Sequence, residues 1–314
     1  MKIYLEEYKY KIKRKGKRDL IKNKMQGAII HNPNFISRDD LITINDRKNY
    51  IDKIFESNNY GKFKVVGISA IYNGRKYYIC EFIDTGYKTI AEGRRIKQGK
   101  IKDYYLPTVF NVGYIGDYCG DATKNKYYKL WHSILSRCYY STKYRKNNTY
   151  SDCFVCERWL CFNNFVNDIE KIIGYREYNI FKEIKFSLDK DIFNLNNSKE
   201  YSLDNCCFVP QKLNQFFANV NKANTSGYEG VSYIKNENTW EVHICYNGKN
   251  LYLGRSKSIK EAYDLYYQNK LTILDKYLSE YFWLDKRIVD ACYRKLNHQY
   301  LLHKKGEFSN ENAS

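Results

Sequence analysis

The sequence predicts an α+β protein assembled from modules: a small antiparallel β module near the N-terminus, a helical region with a ββα core, and a C-terminal three-stranded sheet plus helix. Three observations predict it. Short alternating runs of β-formers are bounded by Asn-Gly and Thr-Gly turns. Two stretches in the middle of the chain carry apolar residues at helical spacing. In the C-terminal half, short strands are twice followed by a single helix.

The 314 residues suffice for two or three compact units. Lys and Arg number 53 against 35 Asp and Glu, a formal charge of +18, which suits a polyanionic partner. The abundance of Lys, Asn, Tyr and Ile follows AT-rich codon usage, so the informative quantity is where the cations cluster. With 43% apolar and 28% charged residues, wholesale disorder is excluded. No apolar run approaches the roughly 18 residues that span a bilayer. The first residues alternate charge with aromatics, unlike a secretory leader. A soluble, cytoplasmic protein is expected, with neither a membrane nor a small-molecule substrate as partner.

Residues 1–50 read as a basic arm: between residues 9 and 24 lie nine cations and one acid, Asp19. An arm that orders on phosphates and a solvated strand edge share this pattern. Residues 51–115 form the β module, with FKVVGISAIY and YYICEFIDTGYKTI as its strands, expected to curl into a barrel-like sheet. Its far side carries Arg94, Arg95, Lys97, Lys100 and Lys102, either a phosphate grip or a solvated face.

Residues 116–222 are expected to hold the helical and ββα core. From residue 122 to 151 there are seven cations and no acid, among them Lys124, Lys126, Lys129 and Arg137. Within it YYKLWHSILSRCYY predicts a helix with Leu130, Ile134 and Leu135 on one face. CERWLCFNNFVNDIEKII predicts a second. Next come EIKFSLDKDIF, a polar loop, CCFVP and QKLNQFFANV, read as strand, loop, strand and short helix. Residues 223–275 predict three strands and a helix from Ser258 to about Asp275; residues 276–314 predict a further helix and a tail.

In the C-terminal segment, Gly230-Val231 opens one strand, Trp240 lies in the next, Asn247-Gly248-Lys249 turns, Leu253-Gly254 closes a third, and Glu261-Ala262-Tyr263-Asp264 lies on the helix. This combination resembles the Apetala/ERF DNA-binding domain, over about fifty residues. The resemblance implies a sheet lying in the major groove of double-stranded DNA, with Tyr233, Lys235, Trp240, Glu241, His243, Lys249 and Tyr252 as contact residues. Residues 225–270 carry six cations against five acids, fewer than that family places on its sheet, so affinity is expected to come largely from the basic stretches, including Lys124, Lys126, Lys129 and Arg137.

The segment LDKDIFNLNNSKEYSLDNCCFVPQKLNQF resembles the ββα-metal motif of phage HNH homing endonucleases. Leu188-Asp189 would end the first strand, Asn205 would precede the second, and Asn214 would lie on the helix. The resemblance implies a metal-dependent DNA endonuclease, encoded by a phage or mobile element, with Asp189, Lys190, Asp191, Asn205 and Asn214 at the catalytic centre. Asp189, Asp191 and Asn214 would hold Mg²⁺ or Mn²⁺. Where the family has its general-base histidine, this chain has Lys190, and a lysine of ordinary pKa near 10.4 is a poor base at neutral pH. A DNA-binding regulator that keeps the scaffold without cleavage is the alternative. Cys153 and Cys156 have the spacing of a zinc knuckle, which Cys138 or Cys161 with Cys206 or Cys207 would complete; buried thiols are the competing reading.

Overall fold

The computed structural model describes residues 50–72, 75–140, 152–195, 199–217 and 226–305. The basic stretch of residues 9–24, the cations Lys143, Arg145 and Lys146, and the chain's last residues lie outside these. The architecture is α+β, with separate antiparallel sheets toward the two ends of the chain. Contacts divide it into two compact units, Met1–Gly120 and Asp121–Ser314.

In the first unit, β1 (Ile54–Ser57), β2 (Gly61–Tyr72), β3 (Arg75–Phe82) and β4 (Lys88–Glu92) pair in sequence order. Among the described residues β1 and β4 do not pair, so the expected barrel-like module is an open meander. One face buries Phe63, Val65, Tyr78, Cys80 and Phe82. That face is closed by Ile96 of the short helix α1 (Gly93–Lys97) and by Ile101 beyond it. Gly99 joins them at φ +62°, where a side chain would strike Asn58 and the Glu56 carbonyl.

The second unit opens on a 3₁₀ turn, Ala122–Lys124, capped by the Asp121 carboxylate, which accepts from the Thr123 amide at 3.1 Å. Helix α2 (Tyr128–Tyr139) buries Trp131, Ile134 and Leu135 completely, while Leu130 stays half-exposed. Trp131 is therefore its anchor. The indole Nε1 donates to the Trp159 carbonyl at 2.7 Å, and the ring packs 5.2 Å from that of Phe162.

The second predicted helix is broken into α3 (Glu157–Leu160), α4 (Phe162–Asp168) and a 3₁₀ turn, Ile169–Lys171, with Cys161 extended between the first two. The buried Asp168 carboxylate explains the break. It accepts from Arg158 at 2.6 and 3.0 Å, from Trp159 Nε1 at 3.2 Å and from Lys171 at 3.2 Å. In an unbroken helix, residues 158 and 168 would stand about 15 Å apart along the axis. These donors hold Asp168 below the usual carboxylate range against the opposing effect of burial.

After α5 (Tyr175–Ile180), strand β6 (Phe186–Asp189) pairs antiparallel with β8 (Cys207–Pro210), which leads into α6 (Gln211–Phe216). Between them, β7 (Glu200–Tyr201) runs parallel to β5 (Phe154–Val155). On its other side β8 bridges Ile173. Gly174, at φ +82°, lets that chain pass so near the Phe208 carbonyl that a side chain would collide with it.

The C-terminal sheet has the order β11 (Lys249–Ser256), β10 (Thr239–Tyr246), β9 (Val231–Ile234) and packs on α7 (Ile259–Glu280); α8 (Lys286–Lys305) completes the described chain. Val209 and Leu213 of the ββα unit share one core with Val231 and Val242 of the sheet, Leu274 of α7 and Ile288 of α8. The three segments read as separate modules thus form one packed body.

Within that body His303 is 4% exposed, its ring 4.3 Å from that of Tyr263 and 5.0 Å from that of Tyr228. Burial, with the charge of Lys270, lowers its pKa from 6.5 to about 4. Between these values the unfolded chain binds the proton and the folded one does not, so stability is full above pH 6.5 and falls as pH drops toward 4. Urea unfolding at pH 7 and pH 5 should differ by about 2 kcal/mol from this group, at about 1.4 kcal/mol per pKa unit. His303→Phe should flatten that difference; an equally steep decline in the variant would assign it elsewhere.

Candidate nucleic-acid interface and ββα hairpin

The residues expected to form a metal centre lie at the end of β6 and in the loop after it. Asp189 is 7% exposed, and its Oδ1 accepts from the backbone amides of Asp191 at 2.9 Å and Ile192 at 2.7 Å, closing the turn that ends the strand. Burial first, then the charge of Asp191, raises its pKa. Lys190 is 6% exposed, with its ammonium 2.6 Å from Asp191 Oδ1 and 5.8 Å from the centre of the Tyr201 ring. Burial pulls the Lys190 pKa down, but bonding to Asp191 overcomes it and leaves the group above its ordinary value. It is held as a cation.

A fourth charge comes from far along the chain. Lys295, on α8, donates to the Asp191 carbonyl at 2.5 Å, and its charge acts on Asp189. Burial lowers the Lys295 pKa, while the two aspartates oppose that shift. Lys295 was missed by sequence reasoning, although a signal existed: it falls on the apolar stripe of α8 with Ile288, Cys292 and Leu296.

The remaining predicted residues are placed apart from this cluster or only beside it. Asn205 donates to Glu200 at 3.0 Å and accepts from Asn194 at 3.3 Å, and Asn194 also donates to the Lys190 carbonyl at 3.3 Å. Asn214 sits half-buried on α6; among the described residues no hydrogen bond joins its side chain to Asp189 or Asp191. No group of three or more His, Cys, Asp or Glu is placed to hold a metal ion among the described residues. Cys161, Cys206 and Cys207 are buried; Cys138, Cys153 and Cys156 are half-buried, and Cys153 lies within hydrogen-bonding reach of Lys190. Burial raises all three half-buried thiols, Cys138 to about 12.

The C-terminal sheet divides its predicted contact residues between two faces. Glu241 pairs with Ser232 and Arg255, and His243 with Tyr252, on the face turned away from α7. Tyr233 pairs with Trp240, rings 4.8 Å apart, on the face that carries Val231 and Val242 into the core. Lys249 pairs with Tyr246 on that same face at its exposed edge, and Lys235 lies just past the end of β9. On the outer face Arg255 is bound by Glu241 at 3.0 Å and by Glu237, and His243 Nε2 stands 3.3 Å from Glu241. Asn250 approaches the other ring nitrogen of His243 at 3.5 Å. The cation of this face is thus already matched by carboxylates.

The start of the second unit is different. Lys124, Lys126, Lys129 and His132 are exposed on and before α2, and Lys126 lies 4.6 Å from the centre of the Tyr127 ring. Among the described residues no carboxylate forms an ion pair with Lys124, Lys126 or Lys129. Arg137 is half-buried, its Nη1 3.4 Å from the Tyr201 hydroxyl. No helix of the described residues is long and apolar enough to cross a membrane. No family model, curated protein sequence or solved structure matches the chain.

Proposed function

We propose that the protein binds double-stranded DNA through its backbone phosphates, and that its ββα hairpin is a structural element rather than a hydrolytic centre. The DNA reading is supported by Lys124, Lys126 and Lys129, exposed ammonium groups in an acid-free stretch with no carboxylate among the described residues paired to them. The observation that carries the structural reading of the hairpin is the charge cluster beneath it. The Asp191 carboxylate is ion-paired with Lys190, Lys295 donates to the Asp191 backbone carbonyl with its charge acting on Asp189, and Asp189 Oδ1 is engaged by two backbone amides. A divalent cation needs surplus negative oxygens in near-octahedral array. This donor set does not fit one, and Lys190, which stands where the base would be, is held as a cation by Asp191.

The order of β6, β8 and α6, with Asp189 ending the first strand, favours a second reading: Mg²⁺- or Mn²⁺-dependent phosphodiester hydrolysis by an HNH-like centre. One experiment separates the two. Supercoiled plasmid is incubated with the protein and Mg²⁺, Mn²⁺ or EDTA, beside Asp189→Asn, and the same samples are run as a gel shift. The expected result is a retained shift with no metal-dependent nicking. Nicking by wild type that requires metal and disappears in Asp189→Asn would establish the endonuclease. No shift at low salt would overturn DNA binding itself.

A further inference from the structure

The first unit carries a second cationic surface, on the turn built around α1. Arg94, Arg95, Lys97, Lys100 and Lys102 are all exposed, whereas Ile96 and Ile101 between them are buried, so the cations share the outer side of one turn. Among the described residues none of the five forms an ion pair. Glu92, the nearest acid in sequence before them, is paired with Arg75, and Asp103, the nearest after them, is buried, accepting from Thr85 Oγ1 at 2.5 Å and the Tyr105 amide at 2.8 Å.

The turn is also fixed. Ser57 Oγ donates to the Ile101 carbonyl at 2.6 Å, the Asn58 amide donates to the Gly99 carbonyl at 3.0 Å, and Arg95 donates to the Lys100 carbonyl at 3.0 Å. Lys97 lies 5.9 Å from the centre of the Tyr50 ring. A solvated, self-repelling run has no need of such bracing. A preformed array loses less conformational entropy when it meets a regular row of phosphates.

We infer that the α1 turn of the first unit is a second phosphate-backbone contact for duplex DNA, used together with the lysines of the second unit. The inference rests on DNA as the partner. Because both surfaces belong to one chain, engagement of either raises the local concentration of the other at the duplex.

The test compares three full-length variants by fluorescence anisotropy on a random-sequence duplex across a salt series. Arg94→Gln/Arg95→Gln/Lys97→Gln removes the first part of the array; Lys97→Gln/Lys100→Gln/Lys102→Gln leaves the Arg95 bracing intact, so a folding defect confined to the first does not obscure the answer. Lys124→Gln/Lys126→Gln/Lys129→Gln tests the second unit. Both α1-turn variants should lower affinity by at least tenfold at about 0.1 M salt and flatten the slope of log K against log[salt] by about 0.9 for each phosphate no longer neutralised. Unchanged affinity and slope in the second α1-turn variant, with a clear fall in the Lys124 variant, would overturn this inference alone. Weakened binding to structured RNA with duplex binding intact would also overturn it. If the wild type itself fails to bind duplex, the DNA reading falls.

Discussion

Trp131→Ala is expected to destabilise the second unit by about 3–5 kcal/mol from the lost burial and the cavity it leaves, the usual range for emptying a fully buried aromatic site. The indole is 0% exposed and packs on Phe162, while its Nε1 bonds the carbonyl of Trp159. Losing the donor leaves that buried carbonyl unpaired, a further cost of about 1–3 kcal/mol. A domain with total stability of roughly 5–15 kcal/mol would lose a large part of it. Trp131→Phe separates the contributions, since it retains much of the packing and removes only the donor. Urea unfolding checks both. A loss below about 1 kcal/mol for alanine would mean that α2 is not anchored through this residue.

The largest expected effect on binding is that of Lys124→Gln/Lys126→Gln/Lys129→Gln. At about 0.1 M salt each neutralised phosphate contributes nearly tenfold to affinity through counterion release, so removing all three cations should weaken duplex binding on the order of a hundredfold or more. The effect should shrink as salt rises. Because these side chains are exposed and, among the described residues, form no ion pair, the variant should unfold at nearly the same urea concentration as wild type. Equal affinity at low salt would remove α2 and its preceding turn from the interface.

Much of the fold could be read along the chain. The Asn-Gly and Thr-Gly turns, the β-branched runs and the amphipathic spacing placed α2, the hairpin of β6 and β8, and the unit of β9 to β11 with α7. These are local signals. The candidate site was less legible, because its decisive contacts are long-range. Lys295 meets Asp191 across 104 residues, and nothing in the spacing of SLDKDIF announces that partner. Nor does a sequence of alternating residues reveal register: Tyr233 belongs with Trp240, not with Glu241, only because β9 pairs at that offset. Asp168 shows the same limit, since one buried carboxylate divides a stretch whose periodicity alone predicts a continuous helix.

The core that Val209 and Leu213 share with the sheet and the last two helices bears on how such a gene can be cut or recombined. A stop codon ahead of residue 226 would strip the cover from these side chains and remove Lys295 from the hairpin loop, yielding an aggregating fragment instead of a shorter binder. Exchange of the C-terminal sheet between related genes would succeed only if the junction carried both sides of that interior. Residues 121–305 would therefore be inherited as one block.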